Sequence, residues 1–170
     1  AGAAQSLWTD TRYIYVSDQG GGLVILTFDG TKFTQVAGAT SPEGFIRETM
    51  GDGRYIYANA TGGISVYSFD GNTLLRLADY DNDGTSYMKG MFTDGANIYA
   101  GWDDGNLEAL RFNGTHFESL ARWPISDVLD AVRSDGSYLY VTFENSPMQI
   151  FSGFECYTGN NMAAGLGARA

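Results

Sequence analysis

The residues best suited to chemistry in this chain are acids. From residue 79 it reads Asp79-Tyr80-Asp81-Asn82-Asp83-Gly84. This is the Asp-x-Asp-x-Asp-Gly half of a calcium loop, in which alternate carboxylates turn inward and the glycine permits the sharp bend around the ion. The ligands expected for Ca2+ are Asp79, Asp81 and Asp83, completed by a backbone carbonyl such as that of Thr85, water and a neighbouring loop. The later positions of the full pattern hold Tyr87 and Gly90, where a bidentate Glu would be needed. The competing reading is a solvated acidic turn.

A second group pairs aromatic rings with carboxylates. Trp102 precedes Asp103-Asp104, Trp123 lies in a later connection, and Tyr80 sits inside the acidic motif. Exposed rings beside carboxylates make a platform for a glycan or another protein; the alternative is that both tryptophans plug gaps between blades. Acid-base and nucleophilic chemistry has little to work with. His116 is the only histidine, in an Asn-Gly-Thr-His-Phe turn, so Ser-His-Asp, Cys-His and histidine-metal arrangements lack their parts. Cys156 is the only cysteine, which rules out an intrachain disulfide; the expected state is a semi-buried thiol in the last strand, with an intermolecular bridge as the alternative. Two sequons, at Asn59 and Asn113, fall in predicted turns and permit glycosylation in a suitable host.

The elements that must position these groups repeat. Asp10-Thr-Arg-Tyr-Ile-Tyr-Val, Asp52-Gly-Arg-Tyr-Ile-Tyr-Ala, Asp94-Gly-Ala-Asn-Ile-Tyr-Ala and Asp135-Gly-Ser-Tyr-Leu-Tyr-Val recur at steps of 42, 42 and 41 residues. A second landmark follows in each copy: Phe28-Asp-Gly, Phe69-Asp-Gly, Phe112-Asn-Gly and a degraded Phe151-Ser-Gly. Asp-Gly and Asn-Gly supply the backbone that tight hairpins need. Each copy therefore reads as strand, tight turn, strand, Gly-rich loop, strand, tight turn, strand, with no stretch of helical periodicity. In the second copy the strands are expected near Phe45 to Met50, Tyr55 to Ala58, Ile64 to Phe69 and Thr73 to Ala78. The run from Ile64 to Phe69 is apolar on nearly every position, which calls for burial on both faces.

Four-stranded repeats of about 42 residues resemble the blades of β-propellers. Strings such as Tyr-Ile-Tyr-Val-Ser-Asp-Gln-Gly-Gly-Gly-Leu-Val-Ile-Leu-Thr-Phe-Asp-Gly look like Tyr-Val-Thr-Asn or Leu-Val-Ile-Val-Asp type repeats, and the likeness covers nearly the whole chain. It implies an all-β fold: one β-propeller domain over 1–170, with four-stranded antiparallel blades at about 1–36, 44–78, 85–121 and 126–158 and a Gly/Ala-rich tail at 159–170. Either four blades close alone, or the chain is part of a larger propeller ring completed by another chain. Lactonase-type propellers would allow metal-assisted hydrolysis, but no residue here can be matched to their metal ligands.

Charge and composition narrow the setting. With 20 acids against 10 Lys and Arg the net charge is -10, which argues against nucleic acid, since phosphate contacts need clustered cations. Sorting residues by their place in a meander gathers Asp18, Glu43, Asp79, Asp81, Asp83, Asp103, Asp104, Asp127 and Glu144 at the loop-rich end, offset there by Arg122. No apolar run approaches the roughly 20 residues needed to cross a bilayer, and the low charged fraction of 18% suits an extracellular or particle-surface protein. The expected function is a non-enzymatic binding or assembly module that meets a protein or glycan through its acidic loop face, with Ca2+ stabilisation and self-association plausible. The alternatives are a structural subunit of a homopolymer and a small metal-assisted hydrolase.

Overall fold

The computed structural model of the chain describes residues 2–20, 22–40, 45–60, 62–82, 86–125 and 127–152. Regular structure among them is entirely β. The first sheet comprises β1 (Ala4–Thr9), β2 (Ile14–Asp18), β3 (Gly22–Phe28) and β4 (Phe33–Ala39). The second comprises β5 (Glu48–Gly51), β6 (Ile56–Ala60), β7 (Gly63–Phe69) and β8 (Leu74–Asp81). The third comprises β9 (Met88–Thr93), β10 (Ile98–Trp102), β11 (Asn106–Phe112) and β12 (Phe117–Pro124). The fourth shows β13 (Leu129–Ser134), β14 (Tyr138–Phe143) and β15 (Gln149–Ser152). Each sheet is an antiparallel meander in chain order. The strand expected near Phe154 to Tyr157, Cys156 and the tail lie outside the described residues.

The repeated aspartate is explained by three hydrogen bonds that it accepts in every blade. Asp52 Oδ1 takes the N–H of Arg54 at 2.8 Å and of Tyr55 at 2.7 Å, and its Oδ2 takes the hydroxyl of Tyr57 at 2.7 Å. Asp10 does the same with Arg12, Tyr13 and Tyr15, Asp94 with Ala96, Asn97 and Tyr99, and Asp135 with Ser137, Tyr138 and Tyr140. One oxygen closes the turn as an Asx-turn does, and the other clasps the strand that follows. Gly53 sits at φ 90°, the left-handed region that this two-residue turn demands and that a side chain would strain. Asp29 and Asp70 close the outer hairpins with Oδ1 in the same way but have no tyrosine clasp.

A bulge recurs where each third strand meets the fourth. The register skips one outer-strand residue between Ile25 and Leu26, between Val66 and Tyr67, and between Ala109 and Leu110, leaving Val36, Leu77 and Leu120 as the extra residues. A bulge at a fixed point adds local twist to the outer edge of each blade.

The chain divides into two compact units, Ala1–Thr85 with Gly114–His116, and Ser86–Asn113 with Phe117–Ala170. In the first unit, Tyr13, Tyr15, Leu23 and Ile25 of the first blade pack with Ile46, Ile56, Ala58 and Tyr67 of the second. A polar seam crosses the same interface: the buried hydroxyls of Ser17 and Thr49 bond at 2.7 Å. In the second unit, Tyr99, Leu107 and Ala109 pack with Leu129, Val132, Leu139, Val141 and Phe143. Strand β6 is buried along its whole length and β7 over its first five residues, as the apolar run requires.

Strand ends differ from the sequence reading in one way that matters. The fourth strand of the second blade was expected to stop near Ala78, but β8 continues to Asp81 because Ser65, Ile64 and Gly63 go on pairing with Asp79, Tyr80 and Asp81.

Candidate functional site

The extension of β8 changes the calcium reading. In an extended strand Asp79 and Asp81 point to one face and Tyr80 to the other. The Asp79 carboxylate is already engaged there: Oδ1 accepts from Ser65 Oγ at 2.7 Å and Arg76 Nε at 2.8 Å, and Oδ2 pairs with Arg76 at 2.5 Å. Its lone pairs and charge are met by its own hairpin, so the described half of the motif does not fit a calcium loop. Asp83 and Thr85 lie outside the described residues, and no group of three potential metal ligands occurs among the described ones.

The aromatic platform is corrected more sharply. Trp102 is 0% exposed, so its indole is core and not surface. Trp123 is half-buried and packs against the Leu107, Leu129 and Phe143 cluster, with its Nε1 enclosed. Trp102 is therefore unavailable as a surface ring, and Trp123 offers at most part of one. Tyr80 is half-buried in β8. The neighbouring acids build loops: Asp103 Oδ1 takes the Tyr87 N–H at 2.8 Å, and Asp104 takes the Asn106 N–H and pairs with Arg122 at 2.5 Å. Asp127 collects the hydroxyl of Ser146 and the N–H groups of Val128 and Asn145, and these donors, Ser146 first, hold its carboxyl below the ordinary range. Lys89 meets Glu144 at 3.4 Å, a second offsetting cation that sequence sorting overlooked.

The sequons separate as well. Asn59 is 0% exposed within β6, so in the folded chain it cannot accept a glycan. Asn113 is exposed, its amide donating to Glu118 at 2.8 Å. His116 is exposed in its turn beside the Thr115 hydroxyl.

The structure instead brings together residues that no motif search singled out. At the tight-turn end of the first unit, opposite the end where the middle loops lie, a cleft of about 210 Å³ opens between the first two blades. Its floor includes Trp8, whose indole packs at a tilt of 34° against Tyr15 with centroids 4.7 Å apart and lies directly over the Cα of Gly51, so closely that no Cβ would fit there. One wall is Tyr13, edge-on to Phe69 at 5.0 Å. The Tyr13 hydroxyl approaches Gly71, where a Cβ would stand 3.0 Å from it and where φ is 98°.

The cleft carries two guanidiniums. Arg12 lies 5.2 Å over the Tyr13 ring and Arg54 4.9 Å over the Tyr55 ring, a cation-π arrangement that restrains both side chains. Both residues are exposed, and neither forms an ion pair among the described residues. Asp10 and Asp70 also line the cleft, but their Oδ1 atoms are committed to turn N–H groups. Burial opposes the Asp10 charge, yet the N–H donors of Tyr13 and Arg12, the Tyr15 hydroxyl and the Arg12 charge outweigh it and keep its carboxyl below the ordinary range. The N–H groups of Thr73 and Asn72 do the same for Asp70. Burial and then Asp10 push Tyr15 well above the usual phenol range, so its hydroxyl stays a donor.

A signal for this site was present in the repeat. The second residue after the clasp aspartate is Arg12, Arg54, Ala96 and Ser137 in turn. The turn accepts small residues in that slot, so arginine is not required by the fold, and the two copies that carry it line one cleft.

Comparison with known proteins supports the architecture. Residues 1–26 match the LVIVD repeat family model. No curated protein matches the chain. Among solved structures, the computationally designed Ika4 protein superposes with a TM-score of 0.71 at 10% identity, covering 89% of this chain and 91% of that one. BamB from Moraxella catarrhalis superposes with a TM-score of 0.66 at 17% identity, and the match spans 87% of this chain but 42% of BamB. Identities this low speak to fold alone. The chain is a β-propeller repeat protein with four antiparallel blades, a fold compatible with a binding or scaffold module.

Proposed function

We propose that this chain is a non-enzymatic binding module whose recognition site is the turn-end cleft of its first unit, not the acidic loop end. The observation that carries the reading is the placement of two exposed, ring-stacked arginines on one aromatic cleft, at turn positions where the other blades have Ala96 and Ser137. Binding sites characteristically combine apolar walls with a few placed polar groups. An extracellular or surface setting fits the low charged fraction and the exposed sequon at Asn113. A hydrolase has less support: His116, the one histidine of the sequence, is exposed in a turn, and the clasp aspartates are occupied by backbone N–H groups and tyrosine hydroxyls.

Fragment screening by nuclear magnetic resonance, with neutral, cationic and anionic fragments, tests the reading. Hits should perturb the Trp8 indole and the Gly53 and Gly71 amides, and a panel of esters and lactones should turn over at background rates with or without divalent metal. Hits confined to other surfaces, or turnover well above background, would refute it.

A further inference from the structure

We infer that the ligand of this cleft is a carboxylate presented by an extended peptide, the side chain of an Asp or Glu in a partner protein. The inference rests on the binding reading above and adds the chemistry of the ligand. Three observations point the same way. First, the donors are guanidiniums, whose planar fork matches a carboxylate with two parallel hydrogen bonds. Stacking of Arg12 on Tyr13 and of Arg54 on Tyr55 fixes much of their freedom before a ligand arrives, and a pre-ordered donor loses less entropy on binding.

Second, the local charge disfavours a strongly charged anion. Two arginines face two aspartates in the lining, and the chain as a whole carries -10. A phosphate dianion would meet more repulsion from Asp10 and Asp70 and from the rest of the surface than a single carboxylate would, so the balance favours the weaker charge. Third, the volume suits a side chain. Small-molecule sites typically run from about 300 to 1,000 Å³, whereas this cleft holds about 210 Å³. That is room for one acidic residue with its methylenes against Trp8 and Phe69, the remainder of the peptide running over the exposed turns. The same arginine slot is filled by Ala96 and Ser137 in the second unit, so recognition is confined to the first.

The test is an array of synthetic twelve-residue peptides, each carrying one central Asp or Glu, printed beside matched sets with Asn or Gln, with phosphoserine, and with a free or amidated C-terminus. The wild-type chain should capture the internal-acid set at least about tenfold better than the amide set, and the R12Q/R54Q variant should lose that margin. Both substitutions fall on exposed turn residues, and an unchanged melting midpoint would confirm that the variant is folded. The R12K/R54K variant keeps the charge but not the fork and should lose at least about threefold. Equal capture of acid and amide peptides, preference for phosphoserine or for free C-termini, or no capture at all would overturn the inference. Fragment hits at the cleft without carboxylate preference would remove the ligand class and leave the recognition site standing.

Discussion

Removing one hydroxyl from the Asp-Tyr clasp offers a clean test of what the repeat is for. In Tyr57→Phe the ring stays in place and only the bond to Asp52 Oδ2, 2.7 Å long, is lost. Tyr57 is 3% exposed, so water cannot replace the lost donor from the tyrosine side, while half-buried Asp52 keeps partial access to solvent. A hydrogen bond to a charged acceptor contributes about 1.5 to 3 kcal/mol, and solvation of the freed carboxylate oxygen places this case near the lower end, about 1.5 to 2 kcal/mol. For a chain of this length that corresponds to a fall in melting midpoint of roughly 3 to 8 °C. The fourth blade supplies an internal control, because Tyr140 makes an equivalent 2.8 Å bond to Asp135 where water reaches both partners. Urea unfolding followed by circular dichroism should show a clear loss for Tyr57→Phe, a distinctly smaller one for Tyr140→Phe, and equal slopes for both. Equal losses in the two variants would refute the argument that burial sets the strength of the clasp, and a loss under about 0.5 kcal/mol for Tyr57→Phe would refute the clasp as a stabilising device.

Other expectations follow from the same geometry. Trp123→Ala should destabilise the chain by about 2 to 3 kcal/mol, below the full cost of a buried tryptophan because the ring is half-exposed, and should leave any glycan-array signal unchanged; a glycan signal lost without a change in stability would restore the platform. Asp10, Asp29, Asp70, Asp127 and Asp135 all have carboxyls held below the ordinary range. Their contribution is therefore fully present above the unfolded-state value of about 4 and is lost as pH falls through their lower folded values. Melting midpoints should be flat in this respect from pH 7 to 5 and fall below about 4, and a fall already complete at pH 5 would contradict the assignment. Calcium at millimolar concentration should leave the midpoint unchanged, since Arg76 and Ser65 occupy Asp79; a rise of several degrees that Asp81→Asn abolishes would re-establish the calcium loop.

The architecture was legible because it rests on local chemistry written four times. An Asp, followed by Gly in three of the four copies, closes a tight turn, and the tyrosine five residues on is both strand former and clasp partner, so the repeat and its cause lie within seven residues. Surface assignments were less legible because they depend on where strands end and what covers them. The Asp79 to Gly84 motif looks like a loop until β8 is seen running through its first three residues, held by Ser65 and Gly63 on a neighbouring strand. Trp102 follows a strand in the sequence and belongs to it in the structure, at a position whose burial is set by packing that no local pattern reports. The bulges at Val36, Leu77 and Leu120 were likewise invisible, since each is an ordinary apolar residue in an ordinary strand.

A repeat protein also separates structural from functional residues by internal comparison, which a single-copy fold does not allow. Whatever the blade needs in order to fold should recur in each copy; whatever one copy has alone is free to do something else. By that criterion Asp10, Asp52, Asp94 and Asp135 are structural despite being acids in turns, and the bonds they accept agree. Arg12 and Arg54 fail the criterion in the informative direction: their slot tolerates Ala96 and Ser137, their rings of support are Tyr13 and Tyr55, and they share a cleft. The acidic motif after Ala78 also departs from the repeat, yet its first carboxylate is neutralised by a neighbour in the same strand, whereas the arginines have no such partner among the described residues. Departure from the repeat therefore nominates a site, and two exposed guanidiniums without an ion pair among the described residues are what select the cleft over the acidic linker.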